Sequence, residues 1–228
     1  DQLSAKEQQV AALFEGIAPA DALLPILGLV FRSKLMLLVH LFGLSGGVLT
    51  AILCAGLCYV GSMSLISTPS VSLEGKNFWI LRSMPVSSKT ILLGKLRLHL
   101  LCCVPLNVLS GLVLALAYGC GPINALLASL IPGLFGVLSG VLGLVFGLKW
   151  ARFDYISEAY PCKQSGSVAA AMFSLWGLVL VLGGGYFPLS PLLSPTGYLA
   201  LCAGILALLS FALYRLLLGW GVRKWESL

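Results

Sequence analysis

Four stretches of twenty residues or more pass without an Asp, Glu, Lys or Arg, and a fifth is interrupted only by Arg215 near its end; about twenty residues is what an α-helix needs to cross the hydrocarbon of a bilayer. They run from Gly43 to Ile66, His99 to Tyr118, Ile123 to Leu148, Ser167 to Phe187 and Gly197 to about Leu218. Within lipid every backbone polar group must be satisfied inside the chain, so such runs are read as helices. Composition agrees: 59% of the 228 residues are hydrophobic and 10% charged, where a soluble domain carries roughly a quarter charged. The expected fold is therefore all-α, a polytopic transmembrane bundle of about five spans.

The basic residues orient the bundle. Eleven Lys and Arg lie beyond residue 70, and all fall in the loop Ser67 to Arg97, the loop Lys149 to Lys163, the C-terminal tail, or at Arg215 near the end of the last span. The connections Gly119-Cys120-Gly121-Pro122 and Pro188 to Thr196 carry none. Positive loops stay in the cytoplasm, so the charged loops and the C-terminus are expected inside a cell (plasma) membrane and the Gly/Pro turns outside. The net charge of +6 then reflects topology, and with no basic arm interleaved with aromatics no nucleic-acid partner is expected.

The first residues stand apart. Ser4 to Gly16 reads as a short amphipathic helix with a capping box at Ser4 and Glu7, and Pro19 to Phe42 as interfacial or re-entrant, interrupted by Asp21, Pro25, Arg32 and Lys34. Residues 1–42 form one segment and 43–228 the membrane domain. No signal peptide is evident. An outside N-terminus and the absent initial methionine together predict that a preceding span is missing from a six-span unit.

Chemistry-bearing residues are few. Of seven cysteines, Cys54, Cys58, Cys102, Cys103 and Cys202 fall in apolar runs and read as small buried hydrophobes; no ligand set for a metal accompanies them. His40 and His99 read as packed or interfacial residues near helix ends. Asn107 is the one strongly polar side chain deep in a span, read as an interhelical hydrogen-bonding residue or, less favoured, part of a substrate path. Gly136, Gly140, Gly143 and Gly147 give small-residue spacings suited to close helix packing, and Gly183-Gly184-Gly185 reads as a helix end. No nucleophile is paired with a base at a recognisable spacing, so an enzyme ranks third among the readings.

The first charged loop keeps apolar residues at helical spacing. From Glu74 to Met84 a helix is expected to lie in the plane of the cytoplasmic interface, with Phe78, Leu81 and Met84 beside Ile80 on its apolar face. Its charged side would be free, and it would end at Pro85 before a new start at Ser87 or Ser88. The run from Ser72 through Glu74, Gly75, Lys76, Asn77, Phe78, Trp79, Leu81, Arg82, Ser83, Met84 and Pro85 to Ser87, followed by Lys95, resembles the Ser-Leu-Glu-Gly-Lys-Asn-aromatic-Trp-x-Leu-Lys-Ser-Leu-Pro-x-Ser signature of ABC exporter permeases of Gram-positive type. Phe153, Asp154 and Glu158, then Lys163 and Gln164 before Ser165, are similar to the elements of the same family's next cytoplasmic loop, with Tyr155 in place of Trp and Cys162 in place of Val.

The resemblance implies a permease subunit coupled to a separate ABC ATPase through Glu74, Gly75, Lys76, Asn77, Trp79, Arg82, Pro85 and Lys95, with Asp154, Glu158, Lys163 and Gln164 in a second contact loop and a second permease half as a further partner. No G-x-x-x-x-G-K-[ST] phosphate loop occurs, so this chain is expected to bind no cofactor of its own, ATP and Mg residing on the partner. A membrane-anchored accessory or sensor protein without transport activity is the alternative.

Overall fold

The computed structural model describes residues 46–83, 85–153 and 165–227. The segments expected at Ser4 to Gly16 and Pro19 to Phe42 lie outside them. Among the described residues the chain is an all-helical bundle: α1 Gly46–Gly61, a 3-10 turn Ser72–Asn77, α2 Phe78–Ser83, α3 Ser88–Ala117, α4 Pro122–Lys149, α5 Gly166–Gly184, the short α6 Tyr186–Leu189 and α7 Pro195–Leu216. A π turn over Leu217–Gly221 then leads into α8 Val222–Glu226. Among the described residues four helical stretches are long and apolar enough to cross a membrane, as in a membrane protein; they are α3, α4, α5 with α6, and α7 continued through α8.

Local chemistry sets the helix starts. The hydroxyls of Ser87, Ser165 and Ser194 accept from the N–H groups of Thr90, Val168 and Gly197, satisfying donors that the first turns of α3, α5 and α7 would leave open. The turn into α4 uses Gly119 and Gly121 at φ +66 and +81, and Pro122 then occupies the first helical turn, where its missing N–H costs nothing.

α4 is the centre. It packs against α1, α3, α5 and α7, and 67% of its most apolar window is buried, against 28% or less for the other three spans. Its buried face includes Ile131, Phe135, Leu138, Val141 and Leu144. α3 and α4 approach closely where a β-carbon on Gly111 would lie 2.0 Å from the carbonyl oxygen of Ala128. The other helices expose Leu101, Leu116, Leu180, Leu208 and Phe211, as a lipid-facing surface requires.

The structure departs from the sequence expectation in four places. α1 ends at Gly61, so its 16 described residues rise about 24 Å, short of the hydrocarbon thickness of about 30 Å. Residues 62–71 then leave the helix, with Ser62, Ser64, Ser67, Thr68 and Val71 buried within the protein. The helix expected from Glu74 to Met84 is broken, because Gly75, inside the 3-10 turn, adopts φ 49, ψ −132, and the α-helix begins only at Phe78. Phe78, expected on a membrane-facing stripe, is buried in a core cluster with Val71, Leu92, Leu148, Leu217 and Trp225. His99 lies well inside α3, which starts at Ser88, and it is fully buried.

Candidate functional site

All the described basic loops meet at one end of the bundle. There the left-handed turn at Gly75 carries Glu74 towards α3, where it forms an ion pair with Lys95. Lys95 Nζ also donates to the carbonyl of Ser70 at 2.7 Å and stands 5.9 Å from the ring centroid of Trp225. The Lys95 side chain is 13% exposed and that of Glu74 29%, so Glu74 is engaged within the chain and does not present a free carboxylate.

Around this pair the ends of distant segments are joined. Phe78 packs edge-on to Trp225 with ring centroids 4.9 Å apart and lies 4.8 Å from Phe153. The N–H of Arg152 donates to Ser72 Oγ at 3.2 Å, and Ser88 Oγ donates to Glu226 Oε1 at 3.1 Å. The π turn over Leu217–Gly221 changes the helical phase after α7, and in α8 it is Trp225 that lies buried among these groups. The 3-10 turn, α3, the segment after α4 and α8 thus form one clasp. Beyond it Trp79 is 67% exposed and Val86 45%, with Ile80 and Pro85 also at the surface.

From the clasp a polar seam runs into the bundle. Lys95, His99, Cys103 and Asn107 are four residues apart and share one face of α3. Opposite stand Gly136, Ser139, Gly140, Gly143 and Gly147 of α4, and the buried segment 62–71 closes the third side. His99 Nε2 is 3.2 Å from both the Gly136 carbonyl and Ser139 Oγ. A carbonyl only accepts, which places the proton on Nε2 and leaves Nδ1 to face Cys103 Sγ at 3.9 Å. Cys103 and His99 are 1% and 0% exposed, so both are enclosed by the packed elements around the seam.

The glycines make room for this seam. A β-carbon at Gly140 would fall 2.5 Å from His99 Cδ2, at Gly143 2.5 Å from Ser67 Oγ, and at Gly147 2.4 Å from the Thr68 carbonyl oxygen. Asn107 is wedged between Gly61 of α1 and Gly136 of α4, whose β-carbons would approach its amide to 3.4 and 3.0 Å. The small-residue spacing in α4 is therefore a packing face. It receives side chains of α3 at Gly136 and Gly140, and the irregular Ser67-Thr68 backbone at Gly143 and Gly147.

No family model, curated protein or solved structure matches this chain. The site is consequently read from its own geometry. Of the residues singled out in the sequence, Glu74, Gly75 and Lys95 come together in the clasp, Trp79 and Pro85 lie on the exposed surface beside it, and Asn107 sits at the deep end of the seam. Asp154, Glu158, Lys163 and Gln164 lie outside the described residues, as do the side chains of Lys76, Asn77 and Arg82. Trp225, Gly61 and the Ser67-Thr68 pair were not singled out, whereas Phe153, which opens the second-loop motif, packs into the clasp. A Trp among the tail cations was the available signal for the first, since an aromatic beside a cation favours a packed pairing.

Proposed function

We propose that this chain is the permease subunit of an ATP-driven ABC exporter, multi-pass in the plasma membrane with the basic end and C-terminus cytoplasmic, and that a separate ATPase docks on the surface formed by Trp79, Ile80, Pro85 and Val86. The observation that carries this reading is the pairing of an exposed apolar knuckle with a clasp behind it. Exposed aromatic and aliphatic anchors are what a protein partner buries first, and the clasp gives a push on the knuckle several routes into the spans: Lys95 into α3, Phe153 into the end of α4, and Trp225 through α8 into α7. The motif resemblance supports the same location. A bare surface anchor would need the apolar side chains but not the buried ion pair and aromatic cluster behind them. ATP and Mg would be held by the partner, and the transport path would need a second permease half.

The polar seam fits the same function as a gate between α3 and α4. Its groups are held across glycines, so a shift of α3 breaks a few hydrogen bonds without opening a large void. A photoactivatable phenylalanine analogue placed at Val86 or Trp79 in the native host tests the docking site. The expected result is a cross-link to a protein bearing an ATPase phosphate loop, absent when the analogue is placed at Leu116. Cross-links to lipid alone would make the knuckle a membrane anchor and defeat the proposal.

A further inference from the structure

A cavity of about 400 Å³ lies between α1, α4, α5 and α7, away from both the clasp and the seam. Its floor is formed by Cys58, Phe135 and Leu206, and its mouth by Val48, Tyr186 and Tyr198. Among the described residues no charged one lines it, and the Tyr198 hydroxyl donates to the Leu182 carbonyl, so these walls offer almost nothing to a polar ligand. Ile52 and Phe187 on its rim are largely exposed, which opens the cavity to the outside of the bundle.

Its depth identifies the occupant. From Val48 to Cys58 along α1 the rise is about 15 Å, and from Tyr198 to Leu206 along α7 about 12 Å, at 1.5 Å per residue. Half of a hydrocarbon core of about 30 Å is the same length. The mouth lies at the Gly/Pro end of the bundle, where Thr196 donates to Asn124 and Pro195 abuts Gly47, and its two tyrosines stand ring to ring at 5.4 Å, as aromatic residues do at a headgroup boundary. The volume suits one slender apolar ligand.

We propose that this cavity seats one acyl chain of a membrane lipid from the leaflet at the Gly/Pro end, its headgroup at Tyr186 and Tyr198 and its terminal methyl at Cys58 and Phe135. The site is independent of whether an ATPase docks at the other end. The test reconstitutes the full chain in phosphatidylcholine nanodiscs containing a trace of the same lipid with a diazirine at the chain terminus, followed by irradiation and peptide mapping. Adducts are expected on the floor residues Cys58, Phe135 and Leu206 as well as on lipid-facing Leu208 and Phe211. Filling the cavity with Ala55→Phe, or more gently with Ala51→Leu, should lower the floor adducts several-fold and leave those at Leu208 and Phe211 unchanged. Adducts confined to the lipid-facing residues in the unaltered chain, or floor adducts undiminished in a folded filling variant, would overturn the proposal.

Discussion

At Gly147 a β-carbon would meet the Thr68 carbonyl at 2.4 Å, whereas one at Gly177 would meet nothing within 4 Å. Gly147→Ala is therefore expected to destabilise the purified chain by about 1 to 3 kcal/mol, the usual range for overpacking against a fixed neighbour, while Gly177→Ala should be neutral or slightly stabilising through helix propensity. Thermal unfolding in detergent checks both. The Lys95–Glu74 pair makes a second case, since both side chains are largely withdrawn from solvent. A double-mutant cycle with Lys95→Met and Glu74→Gln should return a coupling of about 1 to 3 kcal/mol, as for hydrogen bonds to charged groups; a coupling near zero would mean that the clasp is held by its aromatic rings alone. The spacing of Gly136, Gly140, Gly143 and Gly147 was legible as a packing face. What fills it was not, because Ser67 and Thr68 read as loop residues until the third dimension brings their irregular backbone under α4.

The break within the first charged segment belongs to the scale of elements. Apolar spacing from Phe78 to Met84 suggested a helix continuing back to Glu74, and a glycine inside such a pattern is ordinarily tolerated. Here Gly75 takes φ 49, which side-chain-bearing residues rarely adopt, and without that turn Glu74 could not reach Lys95. Gly75→Ala should thus cost about 1 to 3 kcal/mol of backbone strain and loosen the clasp. Limited proteolysis of the 72–78 stretch, normally protected by Phe78 and Arg152, should become faster in that variant. Unchanged proteolysis would separate the turn from the clasp. The start of α3 at Ser88 was expected after Pro85, and α5 and α7 begin one or two residues before the expected Ser167 and Gly197, where Ser165 and Ser194 cap them; the end of α1 was not legible, since its apolar run continues to Ile66 while the chain leaves the helix at Gly61.

For the whole molecule, uncharged run length led directly to an all-helical membrane bundle, because run length is a constraint of the solvent and needs no tertiary information. The central place of α4 was not legible in the same way, since a helix surrounded by protein and one surrounded by lipid are both apolar. If the basic end is cytoplasmic, single cysteines at Lys89 and Lys149 in a chain freed of its native cysteines should resist a membrane-impermeant thiol reagent in intact cells, while one at Ser194 should react. The reverse pattern would invert the topology. ATP hydrolysis by the purified chain, measured alone and then recombined with the ATPase captured at Val86, bears most directly on the permease reading. The expected result is no hydrolysis by the chain alone, and an ATPase stimulated by the unaltered chain but not by Trp79→Glu. Hydrolysis by the isolated chain, or an ATPase indifferent to its presence, would contradict it.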